Sequence, residues 1–476
     1  MKIALVRPTV NTAKHSFFAF SFPTGLAGLA SYLKQFNIEV EIWDYDDNPG
    51  ELANLPDRIR ESKPDIIGVS CMTPTIIRGG MIADTIKSVN PSIMVLVGGH
   101  HSTALPERTL NEFPSFDAVV VGEGEETLLE ICQKMVFKDV KGVVYRGEDG
   151  NIIRNAHRPL IKDLDSLPFP DRSYFNLHKK RKLHFSRGLS EDSFMITDVY
   201  SSRGCPNICT FCAVNFAHST EGIKYRMRSV ENVLMEVREC KEKYGFNHIS
   251  FMDDTLTINK QRVIQMCEGL KKIGLKSWNC CARVNTVDKE MLKALVDAGC
   301  RKISFGVESG SDKVLKQMKK GITVDQVRRA FAMSRELGLD IAEGTFMVGG
   351  AIDETPEDVD LTIKLIKEIK PDYISASVLV PFPGTEAHKQ MAEKGYIFSE
   401  NWEDYLMLSD KPQWRTTYFS PEDLVKMQKK ILTSYYLSPG YILKRLTHLK
   451  NPGELKYLMR MGLSFLDFFY KRKDKE

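Results

Sequence analysis

The chain has 476 residues, 42% hydrophobic and 27% charged, with 10 cysteines and a formal net charge of +4. That length calls for roughly two to four units at about 150 residues each. The ordinary composition excludes a disordered chain, the small net charge argues against a nucleic-acid binder, and no run of about 20 apolar residues is present to form a spanning helix. The opening run 1–8 is too short for a secretory leader. Ten cysteines in that setting point to a reducing, cytoplasmic compartment where thiols serve metals or cores.

Short apolar runs at 2–8, 38–45, 65–70, 93–97 and 118–121 alternate with helical patterns such as 24–33 and 80–87. This alternation predicts a doubly wound, Rossmann-like parallel sheet over 1–140, an α/β unit that binds ligands at the carboxyl ends of its strands. At those ends stand Ser70, Thr73, Gly98, Gly99, Gly122 and Glu123. Glycine there lets a backbone approach a ligand closely, and a short hydroxyl can bond to it; the alternative is that these residues only close tight turns. No G-x-G-x-x-G follows a strand, which disfavours a nicotinamide cofactor.

Residues 141–190 read as a connection: a hairpin over 141–154 turning at Asp149-Gly150, then an extended stretch fixed by Pro168 and Pro170. From 191 to 390 the alternation resumes, with strands near 195–200, 249–252, 279–282, 302–307, 341–348 and 373–379. Six such units fit a partial (β/α)6 barrel of the TIM type, whose working residues lie at the carboxyl ends of the strands. After the first strand comes a loop with Cys205, Cys209 and Cys212. The spacing suits three thiolates around one face of a cubane cluster, which leaves one iron without a protein ligand. Two blander readings stand beside it. A zinc knuckle prefers four ligands in paired C-x2-C spacing, and three buried cysteines can share a loop by accident. The other seven, Cys71, Cys132, Cys240, Cys267, Cys280, Cys281 and Cys300, show no ligand spacing and read as small buried apolar residues.

The cysteine loop, with Phe211 just before its last cysteine and the strand-like run 194–200 leading into it, resembles the radical S-adenosylmethionine (SAM) superfamily. The resemblance implies a [4Fe-4S] cluster on Cys205, Cys209 and Cys212, SAM chelated to the open iron, and reductive cleavage to a 5'-deoxyadenosyl radical that abstracts hydrogen from carbon. It also implies a one-electron reductant such as flavodoxin or ferredoxin. Asp253, beside Asp254, lies where the family's contact to the SAM amino group is expected, with a helix-capping pair as the alternative. Arg283 ends the third strand and is suited to pair with a carboxylate, or to form an ordinary ion pair. Glu308 and Ser309, in 306–311, match family positions that contact the ribose, although serines here also suit a helix cap. The run 344–350 resembles the adenine-facing segment. Its continuation 351–355 lacks the proline of the usual Gly-x-Pro-Gly-Glu-Thr form, and 381–385 reads as a rigid turn.

Standing ahead of such a barrel, most of residues 1–130 resembles the cobalamin-binding domain of the cobalamin-dependent branch. That implies cobalamin against Ser70, Thr73, Gly98, Gly99, Gly122 and Glu123. The D-x-H-x-x-G motif that supplies a cobalt ligand in many such domains is absent between Pro8 and Gly25. His100 and His101 lie near a strand end and are candidates to stand near cobalt, with a helix-capping or solvent-facing role the commoner alternative.

Beyond 391 the pattern turns helical and aromatic, with Trp402, Tyr405, Trp414, Tyr418, Tyr435 and Tyr436, as for a helical subdomain covering the barrel's open side. From Lys429 to Glu476 eleven Lys and Arg stand against four Asp and Glu. The stretch 455–469, followed by Lys471-Arg472-Lys473, suits either peripheral contact with an anionic membrane or a helix packed on the protein. The whole is expected to be a cytoplasmic radical SAM enzyme. By resemblance it is a cobalamin-dependent methyltransferase acting on an unactivated carbon of a small or lipid-like molecule, with no nucleic-acid partner. No general acid or base is evident, which suits chemistry carried by cofactors. The competing expectations are cyclisation, oxidation or carbon-carbon coupling with or without cobalamin, and a non-catalytic iron-sulfur or zinc protein.

Overall fold

A computed structural model of the chain describes residues 1–9, 22–175, 195–214, 225–407 and 409–447. The expected helix at 455–469, the basic Lys471-Arg472-Lys473 and most of the stretch between Pro8 and Gly25 lie outside the described residues.

Strands β1 (Lys2–Arg7), β2 (Glu39–Asp44), β3 (Ile66–Ser70), β4 (Met94–Gly98) and β5 (Ala118–Val120) pair in parallel in the order β2-β1-β3-β4-β5. Alternation along β1 shows why both faces carry helices. Ile3 and Leu5 enter one apolar cluster with Leu26, Ala30, Leu128 and Ile131. Ala4 and Val6 enter the other with Ile76, Ile82 and Ile86. Each such aliphatic side chain withdrawn from water contributes about 2 kcal/mol, so a strand buried on both faces is fixed in register. The hairpin expected in the connection forms as β6 (Val143–Arg146) and β7 (Ile152–Arg154), but it pairs antiparallel with β5 and extends the N-terminal sheet to seven strands. Its Val143 and Val144 are buried among sheet residues, which is what draws it there.

The second sheet has six parallel strands: β8 (Ile196–Val199), then, after the short antiparallel ribbon β9 (Ser202–Gly204) and β10 (Tyr225–Met227), β11 (His248–Phe251), β12 (Ser277–Ala282), β13 (Cys300–Glu308), β14 (Ile341–Val348) and β15 (Tyr373–Val378). They lie side by side in chain order with helices between, the connectivity of a partial barrel. Most of the helices begin on a side chain that accepts a backbone N–H. Ser229, Asn259, Asp288, Ser311, Thr323, Thr355 and Thr385 are these caps, each satisfying a donor the helix cannot.

The helix Pro421–Tyr436, followed by a shorter one at Pro439–Thr447, covers the free edge of β15. Gln428 donates to the Ala376 carbonyl at 2.9 Å, and the Tyr436 hydroxyl meets both the N–H and the carbonyl of Ile374. Upstream of it, Trp402 reaches back to the N-terminal unit. Its indole N–H donates to Glu112 at 2.6 Å, the His101 ring meets it edge-on, and Arg108 stacks on it. No helix among the described residues is long and apolar enough to cross a membrane.

Candidate functional site

The cysteine loop is held at its start by a carboxylate the sequence reading cast in another role. Asp253, only 2% exposed, accepts the Ser201 N–H at 3.1 Å, the Ser201 hydroxyl at 2.8 Å and the Ser202 hydroxyl. Arg262 donates to the Ser201 carbonyl from the other side at 2.9 Å. Asp253 therefore anchors the start of the loop, and burial pushes its carboxyl up. The solvent-facing member of the pair is Asp254. It accepts the Gly204 N–H, and its charge acts on Cys212. Desolvation by its surroundings and the neighbouring Asp253 push its carboxyl up to about 6. Within the loop, the Thr210 N–H donates to the Met318 carbonyl at 3.0 Å, and the Thr210 carbonyl accepts from Ala387 at 2.9 Å.

The three thiols are unbridged and close enough to act on one another electrostatically. Burial, together with the charges of Cys209, Asp254 and Cys205, pushes the Cys212 thiol up to about 11. The sulfurs are met by donors: the Asn207 amide at 3.2 Å from Cys205 Sγ, and Arg283 Nη1 at 3.7 Å from Cys209 Sγ. Among the described residues no three His, Cys, Asp or Glu side chains converge on one ion position. In a cubane each thiolate binds its own iron corner, and donors to the sulfurs tune such a cluster. The donor set fits a three-cysteine [4Fe-4S] cluster.

Arg283 is buried and committed. Its guanidinium donates to the Lys320 carbonyl and to Asn285, and it backs Cys209, so it is not the free carboxylate partner that the sequence suggested. Glu308 ends β13 in the left-handed region, at φ +68°, a sparsely populated conformation for a residue with a side chain. Its carboxylate pairs at 2.7 Å with Lys320, a residue the sequence reading missed. The only local signal for Lys320 was a Lys-Gly turn, which is common on surfaces. Ser309 is fully buried, with its hydroxyl against Thr362 and the Ser311 N–H, while Ser311 caps the next helix. Both serines thus serve the turn. After β14, the backbone of Gly349 donates to Glu354, which folds under the strand end; burial pushes that carboxyl up to about 8. The Pro-Phe-Pro-Gly run closes a turn at Gly384 and hands over to the Thr385 cap.

At the carboxyl edge of the first sheet the six residues part company. Gly99, at φ +103°, would put a Cβ 2.3 Å from the Cys71 carbonyl, and Gly98 accepts from the Cys71 N–H. These two glycines close the protein on itself. Thr73 is buried with its hydroxyl 3.3 Å from His101 Nδ1, while His101 Nε2 is buried without a hydrogen-bond partner. Ser70 is half-buried at the end of β3. Gly122 is different. At φ +80° it has open space where a Cβ would stand, and it lines a cavity of about 160 Å³ with Thr103, Glu123, Arg158, Leu160 and Gly384. That open cradle at the sheet's carboxyl edge fits the approach of a planar cofactor's periphery.

Glu123 is not free for a ligand. It pairs with Arg203 at 2.7 Å and Arg226 at 2.9 Å and accepts the Ile161 N–H, while Glu125 also pairs with Arg203. Burial opposes its ionisation, but the hydrogen bonds and charges of the two arginines prevail and hold the carboxyl down at about 2. The arginines belong to β9 and β10, so one carboxylate joins the first sheet, the connection and the ribbon beside the cysteine loop.

Comparison with known proteins agrees with this layout. The family model described as B12 binding domain matches residues 14–132, and that of the Radical SAM superfamily matches residues 199–366. An uncharacterized methyltransferase of Pyrococcus horikoshii is 33% identical over 450 residues, covering 93% of this chain and 94% of that protein. An anaerobic magnesium-protoporphyrin IX monomethyl ester cyclase of Rubrivivax gelatinosus is 26% identical, covering 99% and 84%. Among solved structures, the cobalamin-dependent S-adenosylmethionine radical enzyme OxsB, with aqua-cobalamin and S-adenosylmethionine bound, aligns with a TM-score of 0.71 at 21% identity, covering 98% of this chain and 72% of that one. At that identity the likeness speaks to the fold.

Proposed function

The chain belongs to the radical SAM superfamily, in the branch that carries a B12-binding domain ahead of the barrel, and from that premise we propose that it is a cobalamin-dependent methyltransferase acting on an unactivated carbon of a small or lipid-like molecule. One observation carries the reading: an unbridged three-cysteine loop at the carboxyl end of a six-strand parallel sheet, tied through the ion pairs of Glu123 to the carboxyl edge of a second sheet. When bound, the [4Fe-4S] cluster supplies the electron that cleaves S-adenosylmethionine, and cobalamin supplies the methyl group.

The chain's own part is holding and orienting. Cys205, Cys209 and Cys212 would hold the cluster, with Asn207 and Arg283 donating to their sulfurs. Asp254 suits the nucleotide's ammonium group and Glu308 its ribose hydroxyls. In the first domain, Gly122 and the cavity it lines mark where the corrinoid would approach the backbone, and no described side chain is assigned to cobalt. A one-electron reductant such as flavodoxin or ferredoxin is required by this reading. The supporting test is anaerobic reconstitution with iron, sulfide and hydroxocobalamin, followed by SAM and dithionite. Iron, sulfide and corrinoid bound together, with 5'-deoxyadenosine released, are expected; no nucleoside cleavage would exclude the reading.

A second reading, cyclisation or another oxidative step, is favoured by the coverage of 99% of the chain by a relative named as a cyclase. Transfer of label from methyl-deuterated SAM to a product separates the two, because cyclisation incorporates none.

A further inference from the structure

Resting on the reading that this barrel is a radical SAM catalyst, we infer that its lumen takes a water-soluble substrate bearing hydroxyl or amine groups, not a hydrocarbon, and that Glu343, Ser375 and Ser377 select it. Burial and register place these three residues. On β14, Ala342, Phe346 and Val348 enter the main apolar cluster, and on β15 Ile374, Ala376 and Val378 do the same. Side chains alternate along a strand, so Glu343, Thr345, Ser375 and Ser377 point to the opposite face, with Thr345 beside Ser375 in register. That face is the inside of the barrel. Ile341 of β14 packs on Ile196 of β8, with three strands between them in the sheet, a contact that only a curved sheet allows across its hollow.

Closed barrels fill this hollow with bulky branched side chains. Here the floor, Ile196 and Ile341, is aliphatic, and the wall above it is largely polar. On β11 and β12, His248, Asn279 and Ser250 form a chain of hydrogen bonds at 2.7 and 2.9 Å. On β13 and β14, Lys302 pairs with Glu343 Oε2 at 2.9 Å, and the Ser304 hydroxyl donates to the same oxygen. Glu343 Oε1 keeps its lone pairs for a further donor. The Thr345 hydroxyl is turned to the Phe305 carbonyl at 3.3 Å. Ser375 beside it is exposed, and neither its hydroxyl nor that of Ser377 has a partner among the described residues.

Such a wall discriminates between classes of molecule. A hydrocarbon pressed against it strips water from a carboxylate oxygen and two hydroxyls and offers no hydrogen bond in exchange. A molecule carrying O–H or N–H groups replaces each lost water with a direct bond. Of the small and the lipid-like substrates, the lumen therefore fits the small, hydrophilic one.

The test uses anaerobically reconstituted protein with SAM and dithionite, and an extract of the cells that make it, divided between water and chloroform. The water-soluble fraction should raise 5'-deoxyadenosine formation at least threefold over the extract-free rate, and the chloroform-soluble fraction should leave it unchanged. Ser375→Val/Ser377→Val should lose most of that rise, measured against its own extract-free rate. Ser375→Thr/Ser377→Thr has the same shape but keeps both hydroxyls, and should keep the rise. Glu343→Leu/Lys302→Met, which removes the acceptor without leaving its ammonium partner behind, should lose it. A rise with the chloroform-soluble fraction, a rise with neither, or equal rises in the valine and threonine variants overturns the inference, as does a full rise in Glu343→Leu/Lys302→Met. Absence of 5'-deoxyadenosine under every condition overturns it together with the functional reading beneath it.

Discussion

The two sheets of this protein share one architecture and use their carboxyl edges in opposite ways. The barrel edge carries its chemistry on side chains: three thiols, Asp254, and the Glu308–Lys320 pair. The edge of the first sheet carries it on backbone and space, with Gly99 packed against Cys71, Gly122 open to a cavity, and Glu123 turned toward the other domain. An edge that binds through thiolates declares itself in residue types. An edge built from glycines looks the same in sequence whether its backbone admits a ligand or closes a turn.

The sharpest way to break this contrast is at the thiols. Cys205→Ala, Cys209→Ala and Cys212→Ala should each abolish the brown iron-sulfide chromophore and 5'-deoxyadenosine formation, while hydroxocobalamin binding persists. Cobalamin lost along with iron in all three would show that the edges are not separable.

Next in size is the carboxylate that joins them. Glu123→Gln should cost about 3 kcal/mol in denaturant unfolding at pH 7, because the buried Arg226 loses its anion and the half-buried Arg203 keeps only Glu125. With the native carboxyl near 2 and an ordinary value near 4.5 when unfolded, this stabilisation is present above pH 4.5 and fades as pH falls toward 2. The difference between wild type and variant should shrink over that window, and a constant difference would show that the charge is not what matters.

Smaller is the contrast between two glycines. Gly99→Ala should destabilise by about 2 kcal/mol, through strain at positive φ and collision with the Cys71 backbone. Gly122→Ala should cost about 1 kcal/mol and weaken hydroxocobalamin binding more than Gly99→Ala does. The reverse ranking would move the corrinoid away from β5. Smallest is Glu403→Ala, which removes a partly exposed ion pair to Arg78 and should change stability by less than about 1 kcal/mol by thermal melt.

The same division sets how far the sequence could be read. All eleven expected strands lie within two residues of their observed bounds, because a strand buried on both faces writes its position as an apolar run. The hairpin was found but assigned to the connection, since edge pairing with β5 depends on tertiary contact rather than local pattern. At the barrel edge the spacing of the cysteines singled out the loop, and Phe211 and the run 194–200 sharpened the reading. Asp253 and Asp254 were legible only as a pair, and which of them is buried follows from Ser201 and Ser202, some 50 residues earlier. Arg283 was expected to pair with a carboxylate or to form an ordinary ion pair and instead donates to the Lys320 carbonyl and to Cys209, while Lys320 pairs with Glu308. Arg203 and Arg226 carried no motif, so their grip on Glu123 emerges only when the two domains are seen together.

The most direct test of the three-cysteine cluster is electron paramagnetic resonance of the dithionite-reduced, anaerobically reconstituted protein with and without S-adenosylmethionine. A reduced [4Fe-4S] signal whose g-values shift when the nucleotide is added is the predicted result. A signal indifferent to the nucleotide, or no reducible cluster at all, would contradict the account.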